Sequence, residues 1–348
     1  MYCMASGNIV LEGLSKMNKI LTVTVPVYNV ENYLPKCLES FIIDDMIDFL
    51  EVLIIDDGSP DKSYRIAEKY VEKYPNVFRL IRKENGGHGS AINRGIEEAS
   101  GRYFKVVDSD DWVDKKSFIQ LIKTLAKTES DIVYSNYYWV NAKSGRKSIE
   151  FKQPFDGVIY NKEYRINEIK NNYFLKMHGY TIKTDILRKI PRIDEHCFYV
   201  DMEFVLFPVP FAETITFIKD FVYMYRIGNV NQSMSTEKLK RNSENYDRVL
   251  KRVFKYYMQE IKIEDQKRKY LEEVLARMVV SRIKIFLCYS YNPQIKFDLQ
   301  KFDNMIKMKY PAVYQDVNNR AVLFLRKTNY RGYPLARFLY YLKERISK

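Results

Sequence analysis

The sequence predicts an α/β fold: a Rossmann-like, mostly parallel sheet followed by a helical C-terminal subdomain. Three observations carry this. Residues 20–127 alternate short β-branched runs with helical stretches. Those runs are apolar on both faces, as strands covered by helices on each side of a parallel sheet must be. After Met224 long Gly-free stretches with periodic apolar positions take over.

Residues 20–25 form a strand that Pro26 ends. Over 33–43, Leu34, Leu38, Phe41 and Ile42 share one helical face. Residues 52–55 are an apolar strand closed by Asp-Asp-Gly-Ser (56–59). A helix over 61–74 stops at Pro75-Asn76. A strand at 77–81, a helix at 90–99, a strand at 103–107 and a helix at 116–127 complete the alternation. From Ile132 the pattern shifts to short strands and turns, with "NAKSGRK" reading as a hairpin tip. Helices are expected over 235–260, 265–289 and 311–326. The domain reading is an N-terminal extension at 1–18, a catalytic α/β domain at 19–228 and a basic helical subdomain at 229–348.

The formal net charge is +13, and it is unevenly placed. Residues 226–348 hold 27 Lys and Arg against 12 Asp and Glu, whereas the first 225 are close to neutral. Such a surplus points to an anionic partner. The four cysteines form no CxxC, so neither a zinc site nor a disulfide framework is indicated, and a reducing compartment is the simplest reading. No apolar run approaches the ~18 residues of a membrane span, and the N-terminus does not read as a signal peptide.

In a parallel sheet with right-handed crossovers the strand C-termini share one edge, where ligands bind. Four polar segments converge there: "PVYN" (26–29), "DDGS" (56–59), "ENGGHGSAINRG" (84–95) and "DSDD" (108–111). Carboxylates as crowded as Asp108, Asp110, Asp111 and Asp114 are tolerable if a divalent cation neutralises them. Oxygen ligands suit Mg²⁺ or Mn²⁺, with phosphate oxygens completing the shell. Asp111 and Asp114 equally suit helix capping. Asp57 is placed to accept from a base N–H, and Tyr28 to stack on the base. No Walker motif follows the glycines, and no GxGxxG follows the first strand.

Taken together, "VTVPVYNVENYLPKCLESF", "LEVLIIDDGSPDKS" and "ENGGHGSAINRGIEEASGRYFKVVDSDDWVD" resemble the family-2 glycosyltransferases, inverting enzymes of the A-type glycosyltransferase (GT-A) fold. The resemblance is dense over residues 19–120 and loose to about 235. It implies a UDP-sugar donor, with Pro26 and Tyr28 lining the uracil site and Asp57 bonding the base. Asn85 and Gly86 would lie near the nucleoside, and Asp108 would contact the ribose. Asp110 would ligate a Mn²⁺ or Mg²⁺ that bridges the diphosphate. The Ala-Arg-Asn common in the family is Ala91-Ile92-Asn93 here, with Arg94 as a substitute for the missing Arg.

Inversion needs a carboxylate to take the proton of the attacking hydroxyl. By resemblance that base is Asp201 in "FYVDMEFVLFP", with Glu203 the competitor and Val200 standing where the usual Glu would be. "YRIGNVNQSMS" supplies Arg226, Gln232, Ser233 and Ser235 for a loop over the donor, or is a plain linker. His88 is placed to approach donor or acceptor, or sits idle; His178 opens the acceptor side. Trp112 floors the sugar pocket or packs in the core.

In the tail, Leu335, Phe338, Leu339 and Leu342 form an apolar stripe, with Arg337, Lys343, Arg345 and Lys348 as its polar complement. That composition fits either an interfacial helix on an anionic membrane, where each basic residue adds ~1 kcal/mol, or a packed helix with a solvated basic face. The expected enzyme is a hexosyltransferase at the inner face of the cell membrane, with a saccharide or lipid-linked acceptor and no nucleic acid. A non-catalytic nucleotide-binding scaffold and a nucleic-acid-binding protein using the basic helices are the alternatives.

Overall fold

The computed structural model describes residues 19–149, 155, 157–168, 174–228, 236–259 and 263–346. The chain divides into two compact units, Met1–Ile169 with Leu175–Gly228, and Lys170–Phe174 with Asn229–Lys348.

The first unit is built on a ten-stranded sheet. In chain order it contains β1 (Leu21–Val27), α1 (Leu34–Glu39), β2 (Leu50–Asp56), α2 (Ser63–Lys73), β3 (Phe78–Arg82), α3 (His88–Glu98) and β4 (Tyr103–Val106). Then follow β5 (Trp112–Val113), α4 (Lys115–Lys127), β6 (Ile132–Asn141), β7 (Lys147–Ser148), β8 (Glu163–Arg165) and β9 (Tyr180–Lys183). The short helices α5 (Thr184–Leu187) and α6 (Asp201–Leu206) lead to β10 (Thr214–Ile227). The strand order is β3-β2-β1-β4-β9-β6-β10-β5, with β7 on β6 and β8 on β10.

Strands β3, β2, β1 and β4 are mutually parallel, as are β6 and β10; β9 runs antiparallel between β4 and β6. β1 and β2 are buried at every position, as their unbroken apolar runs require. Proline is rare inside a sheet because it cannot donate to the ladder. Here the carbonyl of Val27 faces β2, where it accepts from Asp57 N–H at 2.9 Å. The preceding Pro26 therefore faces the β4 side, where pairing has already ended at Thr24–Val106, and no ladder bond is lost.

Helix α1 is shorter than its apolar periodicity, because the chain leaves the helix at Ser40, whose hydroxyl donates to the Cys37 carbonyl at 2.6 Å. The "NAKSGRK" segment is the β6–β7 hairpin tip, with Gly145 at φ 67°.

The second unit is helical: α7 (Thr236–Arg241), α8 (Ser243–Met258), α9 (Asp265–Cys288), α10 (Pro293–Lys309), α11 (Pro311–Asp316), α12 (Arg320–Lys327) and α13 (Tyr333–Ile346). The continuous helix expected over 311–326 is two, because Asn319 turns the chain and caps α12 through the amides of Ala321 and Val322. α10, which the periodicity did not reveal, starts at Pro293 behind the capping Asn292. α9 is the core helix, with Leu271, Leu275, Val279, Ile283 and Phe286 buried.

Asp303 is completely buried and takes both arms of Arg326 at 2.8 Å, with the Tyr330 hydroxyl as a third donor. Removing one partner of such a pair leaves the other charge without compensation. Asp303→Ala should destabilise the helical unit by about 3–5 kcal/mol, seen as an earlier urea transition in far-ultraviolet circular dichroism.

Candidate active site

The polar ends of β1, β2, β3 and β4 meet at one edge. Asp57, immediately after β2, is 3 % exposed. Its Oδ1 accepts from Gly86 N–H at 2.9 Å and Lys83 Nζ at 2.7 Å, and its Oδ2 from Gly87 N–H at 2.7 Å. Asn85 Nδ2 donates to the Asp57 carbonyl at 3.0 Å. A carboxylate has about four acceptor positions, so one on Oδ2 remains beyond these three donors. Gly87 sits at φ 82°, which only glycine adopts without strain.

The glycines admit protein backbone. A Cβ on Gly87 would lie 3.3 Å from the His196 amide, and one on Gly89 would collide with the Asp194 carbonyl. The 193–197 segment is clamped there from several sides. His196 N–H donates to the Gly86 carbonyl, and Asn93 exchanges hydrogen bonds with the Ile193 backbone at 2.9 Å in both directions. Glu203 is fully buried, with Oε2 accepting from Asp194 N–H at 2.8 Å. Glu203 is thus a structural anchor of this loop, and Asp201 is the carboxylate that opens α6.

After β4 the acidic residues take separate duties. Asp114 caps α4 by accepting from Ser117 N–H at 3.0 Å. Asp111, 1 % exposed, accepts from the Tyr223 hydroxyl and from Arg226 N–H, each at 2.7 Å, and so ties the loop to β10. The Tyr223 hydroxyl also receives Asp108 N–H at 3.2 Å. Asp108 Oδ1 lies 2.8 Å from His88 Nε2. Burial pushes Asp108 up, but the neighbouring His88 brings it below the usual carboxylate range; burial pushes His88 down, and Asp108 raises it above its ordinary value. Asp110 is pushed up to about 6, by burial first and by Asp108 second. Burial, with a further rise from Asp108 against a fall from His88, also lifts Asp201. Asp201 therefore lies within electrostatic reach of His88 and Asp108.

Asp108, Asp111 and His178 each offer a ligand atom, all within 4.8 Å of one another. Burial lowers His178 to about 4, leaving a neutral imidazole, and its Nδ1 is buried without a hydrogen-bond partner among the described residues. The chain entering β9 is held by Lys105, a lysine wholly buried in β4, whose Nζ donates to the carbonyls of His178 at 2.7 Å and Tyr180 at 3.2 Å.

The remaining residues singled out from sequence are placed as follows. Tyr28 is half exposed just past β1, Pro26 is buried within the strand, and Asn85 is exposed. Arg226 lies in β10 rather than in a loop; its Nε donates to the Asp110 carbonyl at 2.6 Å, and its guanidinium covers the rings of Tyr33 and Trp112 at 4.9 and 4.8 Å. Trp112 is also capped by Lys36 at 3.4 Å. Gln232, Ser233 and Ser235 lie outside the described residues. Arg94 pairs with Glu98 at 2.6 Å on its own helix. Sequence reasoning missed Tyr223 and Lys105. A lysine inside the apolar run "YFKVV" was the available signal for the second.

This edge, with its pinned glycine turn, acidic loop and helix-opening Asp, belongs to a sheet-and-helix unit of the GT-A fold. The sequence comparison is in accord: residues 22–191 match the profile of Glycosyl transferase family 2, which assigns that segment to the family. It is 31 % identical over 218 residues to "Glycosyltransferase GlyA" of Streptococcus pneumoniae, covering 60 % of this chain and 30 % of that protein. It is 31 % identical over 237 residues to "Minor teichoic acid biosynthesis protein GgaB" of Bacillus subtilis, covering 66 % of this chain and 25 % of that one. The chain thus spans less than a third of the length of either relative. The fold resembles residues 1–349 of TarS from S. aureus, solved in complex with UDP, at a TM-score of 0.63 and 20 % identity over 93 % of this chain and 92 % of that one.

Two outcomes follow. Asp57→Ala would take the acceptor from the buried amide of Gly86 and the half-buried amide of Gly87, at about 1–3 kcal/mol. Their hydrogen exchange should accelerate by roughly 10- to 100-fold, measured by NMR. Asp110 keeps its proton up to about 6, whereas an unfolded Asp releases it near ~3.9. Between those values the folded state binds more protons, so this group subtracts stability as pH rises through the window. Asp110→Asn removes that loss; its unfolding free energy, followed by thermal melts, should gain on the parent's between about pH 4 and about pH 7, by at most ~3 kcal/mol.

Proposed function

We propose that the chain is an inverting, divalent-cation-dependent enzyme that moves a sugar from a UDP-sugar to a saccharide or lipid-linked saccharide acceptor. It would work at the cytoplasmic face of the cell membrane, in the synthesis of a cell-surface polysaccharide. The observation that carries this reading is the convergence of the Asp57-pinned glycine turn, the Asp108–Asp111 loop and Asp201 at one sheet edge. A structural neighbour bound to UDP and a relative named for teichoic acid biosynthesis support the donor and the product class.

On this reading Tyr28 stacks on the uracil beside Pro26, and Asp57 uses its remaining acceptor position for the base N–H. Asn85 and the turn at Gly86 border the nucleoside, and Asp108 takes the ribose. The donor set fits a divalent cation: crowded carboxylates, a neutral imidazole and a buried nitrogen without a partner. Asp110 would hold the ion, and Asp108, Asp111 and His178 offer further ligand atoms beside it. When bound, the cation supplies positive charge to the diphosphate leaving group. Arg226, whose side chain already borders Asp110, adds a second cationic group.

Asp201 accepts the proton of the acceptor hydroxyl as that oxygen bonds to C1 of the sugar. The bond from C1 to the diphosphate breaks on the opposite side, which inverts the anomeric centre. Burial raises the basicity of Asp201, in the direction a general base requires. Its place opening α6, behind a loop clamped to the glycine turn, fixes it relative to the donor.

Asp201→Asn should lower transfer by about 10²- to 10⁴-fold while leaving UDP affinity, measured by calorimetry with Mn²⁺, unchanged. Turnover near the parent's would remove Asp201 as the base, and a product with retained anomeric configuration by NMR would remove inversion.

A further inference from the structure

Helix α13 packs the opposite way from an ordinary amphipathic helix. Its inner face is formed by Tyr333 and Ala336, both buried, and the Tyr333 hydroxyl donates to the Phe286 carbonyl of α9 at 3.3 Å. The larger apolar side chains point outward. Leu335, Phe338 and Leu339 are 51, 54 and 55 % exposed, and Leu342 is 38 % exposed. They recur at i, i+3, i+4 and i+7, so they form one continuous stripe. The preceding helix α12 adds Leu323 and Phe324, exposed at 44 and 37 %. A contiguous apolar surface of this kind marks a contact with something outside the folded unit.

The charges around the stripe indicate what it meets. Residues 320–346 contain seven Lys and Arg and a single acidic residue, Glu344. Of the seven, Arg326 is committed to Asp303. Arg320, Lys327 and Arg331 are exposed. A second copy of the chain docking on this face would set two positively charged surfaces against each other, which opposes an isologous contact. A nucleic acid would satisfy the basic groups but offer no apolar partner to the stripe. An anionic bilayer satisfies both, taking Leu and Phe into the acyl boundary while the basic groups lie among the headgroups.

We infer that the outward face of α13, with the adjoining α12, is a membrane-docking surface for anionic lipid, with Leu335, Phe338, Leu339 and Leu342 as the inserted side chains. The inference deepens the membrane placement proposed above. It rests on this helix face and not on the chemistry at the sheet edge, so either can fail alone.

The test is flotation of the full chain with vesicles of phosphatidylcholine alone and of equal parts phosphatidylcholine and phosphatidylglycerol. The parent should float with the anionic vesicles, and less so as salt is raised. The double variant Phe338→Asp, Leu339→Asp should reduce the floated fraction by about tenfold or more. Its circular dichroism and donor hydrolysis should match the parent's, since both positions are exposed and remote in sequence from the catalytic residues. Failure of the parent to float with anionic vesicles overturns the inference, as does equal flotation of the variant. A parent that light scattering shows to be dimeric, with the variant monomeric, also overturns it and assigns the face to self-association. Loss of transfer with flotation intact would instead count against the proposed chemistry alone.

Discussion

Three carboxylates within four residues, at the end of a buried strand, set the constraint around which the first unit is arranged. Asp108, Asp110 and Asp111 cannot all ionise cheaply in low dielectric. The fold gives each a different environment. Asp111 is held by two short hydrogen bonds from β10, and burial, with Asp110 and Asp108 beside it, raises its proton affinity well above that of an ordinary carboxylate. Asp108 is matched by His88 from the glycine loop. Asp110, between them, keeps a raised proton affinity. Strand β10 therefore does more than extend the sheet. Tyr223 and Arg226 tie the acidic loop from two nearby points of one strand, and Asp114 N–H donating to the Val222 carbonyl at 2.9 Å holds β5 against it, with Tyr223 opposite Val113.

A second constraint couples the glycine turn to the segment that carries Asp201. Asp57 draws in the amides of Gly86 and Gly87 from one side, while His196 reaches the Gly86 carbonyl from the other. Bulk at Gly87 or Gly89 would push away the 193–197 backbone, and with it the start of α6. The glycines bring a distant part of the chain against the polar edge of the sheet. Groups a hundred or more residues apart are thereby held in one frame.

Much of the first unit was legible because its signals are local. Unbroken apolar strands, the Asp-Gly turn and the acidic run each restrict the backbone by themselves, and a parallel sheet brings them to one edge without further information; Pro26, expected to end the first strand, lies inside it, because β1 runs on to Val27. What depends on pairing across long sequence distances was not legible. Nothing near Asp111 says that its partner is Tyr223, and nothing near Asp57 says that its carboxylate is shared with a loop. Lys105 looked like an interruption of a strand, although its burial under two carbonyls makes it a fixture of the segment carrying His178. In the helical unit, Asn319 and Asn292 were short capping signals that periodicity overrode, which explains the merged helix over 311–326 and the overlooked α10.

The tail shows why a hydrophobic pattern alone leaves orientation open. The stripe Leu335, Phe338, Leu339 and Leu342 is equally compatible with a helix that packs inward and with one that faces out. The deciding residues are Tyr333 and Ala336, on the other side of the helix. A small alanine lets α13 approach its neighbour closely, and the tyrosine anchors it through a backbone carbonyl of α9. Among the described side chains of the helix these two are the buried ones, and the larger apolar stripe is exposed. An exposed stripe of that size would be a liability beside a neutral surface. Beside a dense set of basic residues with one acidic group among them, the same stripe has a restricted choice of partner, since attraction to negative charge and to hydrocarbon must be met together.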